Sequence, residues 1–167
     1  MLNRLQRTLR PWHIQLFLFL SCTGLLSFGY YLQYVEYMEP CPLCISQRLC
    51  FYAVGILALI GLLSRAQGRT RTLLTSAGLL SSLIGAATAG RQVWLQHLPA
   101  DQVPACGPGF NYLADTLPWH KVMTIMLKGD GNCAAIDWTL LNLSIADWSL
   151  LAFIGFCITH VLLLLRK

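Results

Sequence analysis

The chain has 167 residues, 56% of them hydrophobic and 11% charged, with a net charge of +5. Ordinary globular chains run at roughly 45–50% apolar and about 25% charged, so a soluble enzyme is excluded for want of charge to cover its surface. A disordered chain is excluded too, and so is a nucleic-acid binder, because the basic residues form no aromatic-interleaved patch. An integral membrane protein with room for about four helical spans remains.

The first apolar stretch runs from about Ile14 to Tyr34 without a charge. Arg4, Arg7 and Arg10 precede it as in a signal peptide, but it ends in Tyr30, Tyr31 and Tyr34 instead of a small-residue cleavage site. It reads as a retained span with tyrosines in the interfacial belt. Leu49 to Leu63 is short for a crossing, about 22 Å of helix against roughly 30 Å of hydrocarbon. The second span must therefore begin near Ile45 and carry Gln47 and Arg48 at its outer end.

The third span is expected over about 73–94. Gly78, Ser82, Ala86 and Gly90 form one row of small residues at every fourth position, and Ser81, Gly85 and Ala89 form another. Such rows let helix backbones approach closely and predict a central place in the bundle. Between this span and the last, Pro118, then Trp119 through Leu127, then Gly129 outline a short helix. Its Val122, Met123, Met126 and Leu127 share a face, which suits either a position flat on the membrane surface or ordinary packing. The fourth span runs over about 145–165, with Ser144 and Asp147 spaced as a capping box.

Charge sets the expected topology. Arg4, Arg7, Arg10, Arg65, Arg69, Arg71, Arg166 and Lys167 flank the spans on one side with no acid among them. All seven acids (Glu36, Glu39, Asp101, Asp115, Asp130, Asp137 and Asp147) lie on the other. By the positive-inside rule both termini are cytoplasmic, and the loops at about 35–44 and 96–144 face outward. The expected fold is thus all-α: a single transmembrane domain over 1–167, a four-helix bundle with two outward loops.

Topology also divides the seven cysteines. Cys22, Cys50 and Cys157 fall inside spans, where a free Cys packs as a small hydrophobe. Cys41, Cys44, Cys106 and Cys133 fall in the outward loops, where disulfides persist. Cys41-Pro42-Leu43-Cys44 lacks the second close pair of a zinc site and the following His of a haem site. Redox chemistry fits its position better. Cys44 sits at the N-terminus of the second span, where free backbone N–H groups favour a thiolate. Arg48 is one turn on and adds a cation. Standing alone, Arg48 would read as a snorkelling residue at the head-group level.

Cys106 and Cys133 fit two readings equally. One is a structural staple, worth about 3.5 kcal/mol to the ordered loop on a chain-entropy estimate. The other is a labile bond open to a protein partner, since Gly107-Pro108-Gly109 and Gly129-Asp130-Gly131 flank the two sulfurs.

Together these features resemble the disulfide bond formation protein B (DsbB) family of bacterial inner membranes. The resemblance spans essentially the whole chain, through Glu39-Pro40-Cys41-Pro42-Leu43-Cys44 with Gln47-Arg48, Gly90 to His97, Pro104-Ala105-Cys106 and Gly131-Asn132-Cys133-Ala134. It implies a protein-dithiol:quinone oxidoreductase that reoxidises a periplasmic thioredoxin-fold oxidase of the DsbA type and passes electrons to ubiquinone or menaquinone. Carried onto this chain, the partner attacks Cys106 of a Cys106–Cys133 disulfide, Cys133 exchanges with Cys41, and Cys44 becomes the donor to a quinone held near Arg48. His97 matches a quinone-contacting His of some members, and is equally well a surface His. Arg91 is a weaker candidate of the same kind, and His13, His120 and His160 have no motif around them. Two rival readings remain: a four-span scaffold or transporter with two structural disulfides, and a quinone reductase of the vitamin K epoxide reductase type. The latter usually carries its C-x-x-C late in the chain.

Overall fold

The computed structural model describes residues 11–99, 101–107, 112 and 115–165. Arg4, Arg7, Arg10, Arg166 and Lys167 of the charge argument, and Pro108 and Gly109 beside Cys106, lie outside the described residues. In chain order the helices are α1 (Pro11–Tyr34), α2 (Pro42–Leu63), α3 (Gly68–Gln96), the short α4 (Trp119–Lys128) and α5 (Ile145–Leu165). All but α4 are long and apolar enough to cross a membrane. The protein is an all-α membrane bundle of four helices.

The helix starts follow from local chemistry. α2 begins at Pro42, earlier than the expected start at 45, because Cys41 caps it: the Cys41 sulfur accepts the Cys44 backbone N–H at 3.3 Å. Those extra residues lengthen α2 to 22, about 33 Å, which removes the shortfall of the apolar run. α3 is longer than the expected 73–94 at both ends. At α5 the capping box closes in both directions, Ser144 N–H to Asp147 Oδ2 at 2.8 Å and Asp147 N–H to Ser144 Oγ at 3.2 Å.

The helices pack as a chain of neighbours, α1 on α2, α2 on α3 and α3 on α5. Neither expected small-residue row is by itself the contact line of α3. Its buried face takes Gly78 and Ser82 from one row and Gly85 and Ala89 from the other. A strict four-residue row drifts around a helix of 3.6 residues per turn, so the real seam alternates steps of three and four. Phe153 of α5 fills the space at Gly85, where a Cβ would lie 2.3 Å from its ring, and Phe153 stacks on Phe51 of α2 with centroids 4.1 Å apart. Leu18, Cys22, Cys50, Val54, Ala58, Ala89 and Phe156 complete this core. Cys22 and Cys50 therefore pack as hydrophobes. Phe17, Leu20, Leu49, Ile56, Leu83 and Ile158 point outward, an apolar surface suited to lipid.

The connection between α3 and α5 is built over one end of the bundle. In α4, Val122 and Met126 are buried, and Ser46 of α2 donates to the Met126 carbonyl at 3.2 Å. Met123, Leu127 and Trp119 stay exposed, so the expected common face splits between the bundle and the outside. Gly129 ends α4 at φ 75° and ψ 162°, a backbone conformation open essentially to glycine alone. A 3-10 turn at Gly131–Ala134 follows. Then β1 (Thr139–Leu140) pairs antiparallel with β2 (Leu143–Ser144) through Leu141-Asn142, both at positive φ as a two-residue hairpin demands.

Candidate active site

Three of the four loop cysteines meet where this connection covers the start of α2. Cys41 is its N-cap and Cys44 lies in its first turn, with the two sulfurs 2.9 Å apart as free thiols. Cys133 rides on the 3-10 turn, fully buried, in one apolar cluster with Cys41, Leu43 and Leu95. The hydrogen bond from the Cys41 thiol holds the Cys133 thiol below its ordinary value, against the cost of burial, helped by N–H groups of Leu43 and Asp130. The same contact, with Cys44 added and burial on top, pushes Cys41 up. Of these two, Cys133 gives up its proton the more readily and Cys41 the less.

Cys106 is exposed on the outer side of that turn. Its strand is pinned there by Gly131 N–H to the Ala105 carbonyl at 3.2 Å and Asn132 Nδ2 to the Gly107 carbonyl at 3.0 Å. Asp130 shapes the turn, its Oδ1 accepting the Asn132 N–H at 3.1 Å. The cysteines therefore form a series: Cys106 exposed, Cys133 and Cys41 buried beneath it, and Cys44 half-buried at the far end.

Behind Cys44 a cavity of about 120 Å³ opens between α1, α2, α3 and α5. Leu25, Leu26, Leu32 and Phe51 give it apolar walls; Cys44, Gln47, Arg48 and Gln92 give it a polar side, and Ile136 and Trp138 roof it. Its volume is close to the roughly 150 Å³ of engineered cavities that hold a benzene ring. The Arg48 guanidinium donates to the Gly29 carbonyl at 2.9 Å and to Gln33 Oε1, and lies over the Tyr30 ring at 4.9 Å. Tied to α1 in this way, the cation stays at the cavity's rim at a fixed position. A larger cavity of about 1340 Å³ at the opposite end, among Arg65, Arg69 and Arg71, contains no cysteine.

Comparison with known proteins decides the family. The family model described as "Disulfide bond formation protein DsbB" matches residues 11–163. The chain belongs to the DsbB family. It is 50% identical over 138 residues to disulfide bond formation protein B of Hahella chejuensis, covering 83% of this chain and 84% of that one. It is 41% identical over 155 residues to disulfide bond formation protein B 1 of Pseudomonas aeruginosa, covering 92% and 95%. No solved structure matches the chain. DsbB membership makes this a multi-pass membrane oxidoreductase that forms disulfide bonds.

Within this DsbB chain the structure brings Cys41, Cys44 and Cys133 together, with Arg48 on the cavity beside Cys44. It does not bring His97 there. His97 caps the end of α3, exposed, with Nδ1 2.8 Å from the Val93 carbonyl, and the neighbouring Gln96 lines the cavity instead. Arg91 also lies elsewhere, its Nε donating to the Lys128 carbonyl at 3.3 Å and its guanidinium over Trp94 at 4.3 Å.

Sequence reasoning passed over Gln92, which makes polar contact with both Cys41 and Cys44. Its Nε2 lies 3.3 Å from Cys44 Sγ and 3.5 Å from Cys41 Sγ, and its Oε1 accepts from Gln47 Nε2 at 2.7 Å. Both amides are buried. The signal was present: two glutamines in apolar spans are expensive in lipid unless they hold something.

Proposed function

We propose that this protein reoxidises a periplasmic thioredoxin-fold oxidase of the DsbA type and passes the electrons to a membrane quinone. It would work in a bacterial inner membrane with both termini cytoplasmic, the arrangement that the positive-inside distribution of its charges supports. The observation that carries the reading is the series of four cysteines ending beside a ring-sized, apolar-walled cavity with a cation on its rim.

Each exchange balances. The partner's thiolate attacks Cys106, forming a mixed disulfide and freeing Cys133 as a thiolate. Cys133 attacks Cys41; the Cys41–Cys133 bond forms, the Cys41–Cys44 bond breaks, and the electron pair leaves on Cys44. The partner's second thiol then displaces Cys106 and departs oxidised. Cys106 takes Cys133 back, and Cys41 and Cys44 remain as the reduced pair. The packing of Cys133 against Cys41 in one buried cluster fits this role, because it holds the attacking sulfur next to its target.

The cavity fits a quinone head: apolar walls for the ring, and Arg48 and the amides of Gln47 and Gln92 for its oxygens. When bound, a quinone supplies the two-electron, two-proton acceptor that lets Cys41–Cys44 re-form. Arg48 orients it and offsets charge at the cavity rim, and the Ile136–Trp138 roof excludes water. The test mixes purified protein, reduced partner and ubiquinone, and follows quinone absorbance. Quinone-dependent thiol oxidation that disappears in Cys44→Ser is expected. Thiol oxidation indifferent to quinone would sink the proposal.

A further inference from the structure

Gln92 stands on α3, outside both cysteine loops, yet its carboxamide reaches the sulfurs of both Cys41 and Cys44. It is 4% exposed, so its amide has no water to turn to and must satisfy itself on what surrounds it. Gln47 decides which way round it sits. The Gln47 Nε2 donates to Gln92 Oε1 at 2.7 Å, well inside the 3.6 Å at which the Cys44 thiol reaches the same oxygen, so Gln47 holds the carbonyl end and the Nε2 end makes the shorter contact with Cys44, at 3.3 Å. Gln47 is itself 3% exposed and lies one residue before Arg48, on the α2 turn that follows Cys44.

We propose that Gln92, oriented by Gln47, is a positioning residue that stabilises the Cys44 sulfur as it takes up the electron pair when the Cys41–Cys44 bond breaks. The inference rests on the reading above only in taking Cys44 as the leaving sulfur. When Cys133 bonds to Cys41, Cys44 Sγ gains a full charge in a site walled by apolar groups. Sulfur accepts hydrogen bonds weakly as a thiol or disulfide and much better as a thiolate. A donor 3.3 Å from Cys44 and 3.5 Å from Cys41 therefore gives little to the oxidised pair and more to the reduced one. A disulfide whose reduced form is stabilised is a stronger oxidant, which is what a pair that must draw electrons inward from the loop cysteines requires. Arg48 cannot take over this task by direct contact, since its hydrogen bonds run to Gly29 and Gln33.

The test needs neither quinone nor partner. The full-length protein in detergent is equilibrated in glutathione buffers, and the oxidised fraction of Cys41–Cys44 is read by mass spectrometry in a Cys106→Ala, Cys133→Ala background. Gln92→Leu should make the pair harder to reduce, shifting the equilibrium constant about tenfold, the scale of one hydrogen bond to a charged group. Gln92→Met keeps the length, removes the donors and should shift it in the same direction. Gln47→Met leaves Gln92 untouched but removes the donor to its Oε1, and should move the constant the same way by freeing the Gln92 amide to turn. Iodoacetamide labelling of exposed Cys106, in the same variants with Cys106 retained, reports that the fold is intact and should not change. An equilibrium constant unmoved in Gln92→Met or Gln47→Met overturns the proposal, even if Gln92→Leu fails to fold. Quinone-dependent turnover is scored separately in the unmodified protein. Its absence would remove the acceptor reading and leave the amide effect standing.

Discussion

Gly131 lies directly beneath Cys106: a Cβ on Gly131 would come 2.5 Å from the Pro104 carbonyl oxygen and 3.0 Å from both the backbone N and the sulfur of Cys106. The missing side chain is what lets the Cys106 strand rest on the turn that carries Cys133. Gly131→Ala must push that strand away, at a cost of about 1–3 kcal/mol if the site cannot relax. The Cys106–Cys133 disulfide should then form on the order of tenfold less readily. Non-reducing peptide mapping after oxidation measures it, and a wild-type yield of that disulfide would contradict the geometry.

The Cys41 thiol beside Cys133 predicts a pH dependence. The Cys133 thiol is held below its ordinary value, so its thiolate persists as pH falls and is lost only on the acid side of the usual thiol range. In a variant keeping only Cys41 and Cys133 of the loop cysteines, ultraviolet thiolate absorbance should follow that course. Cys41→Ala removes the main donor and should move the titration to higher pH, whereas Cys41→Ser retains a donor and should move it less. A Cys41→Ala titration that overlays its parent would show that the hydrogen bond does not hold the charge.

Arg48 is expected to act on the acceptor side alone. Its cation is fixed by Gly29 and Gln33, well inside the cysteine series from Cys106. Arg48→Gln should weaken quinone-dependent turnover by roughly 10- to 100-fold, the scale of losing hydrogen bonds from a charged group. Single-turnover exchange between reduced partner and Cys106–Cys133 should be unaffected. Equal losses in both assays would mean that the substitution damages the fold.

Packing at the bundle centre offers a test free of redox chemistry. Gly85→Ala places a methyl group 2.3 Å from the Phe153 ring, which is sandwiched against Phe51. Overpacking there should cost about 1–3 kcal/mol. Gly155→Ala on α5 meets nothing within 4 Å and serves as the control. Thermal unfolding in detergent should separate the two by a clear fall in Tm for Gly85→Ala only.

Much of this was legible because membrane helices are written locally. An apolar run long enough to cross lipid must close its own backbone hydrogen bonds, so length and composition point to four spans. Capping is local as well, and Ser144 with Asp147 is found as the spacing predicts. Where a local rule was incomplete the reading slipped. The second span looked short because the apolar count began at Leu49, after Arg48, while the helix begins at Pro42 under the Cys41 cap.

The sequence by itself determined the membrane class, the four spans, the sidedness argument from charge, and the segregation of Cys41, Cys44, Cys106 and Cys133 from the cysteines in the spans. These follow from hydrocarbon thickness, helix periodicity and charge counting, which need no knowledge of what touches what. Only the tertiary structure decided that Cys133 is buried against Cys41 while Cys106 stays outside, that Gln92 reaches both Cys41 and Cys44, and that Gln96 rather than His97 lines the cavity. Those relations join residues far apart in the chain, through the crossing of α3 over α2 and the folding of one connection over the bundle end. No periodic pattern encodes such a crossing; it is set by which side chains fill the spaces left at Gly85, Gly129 and Gly131.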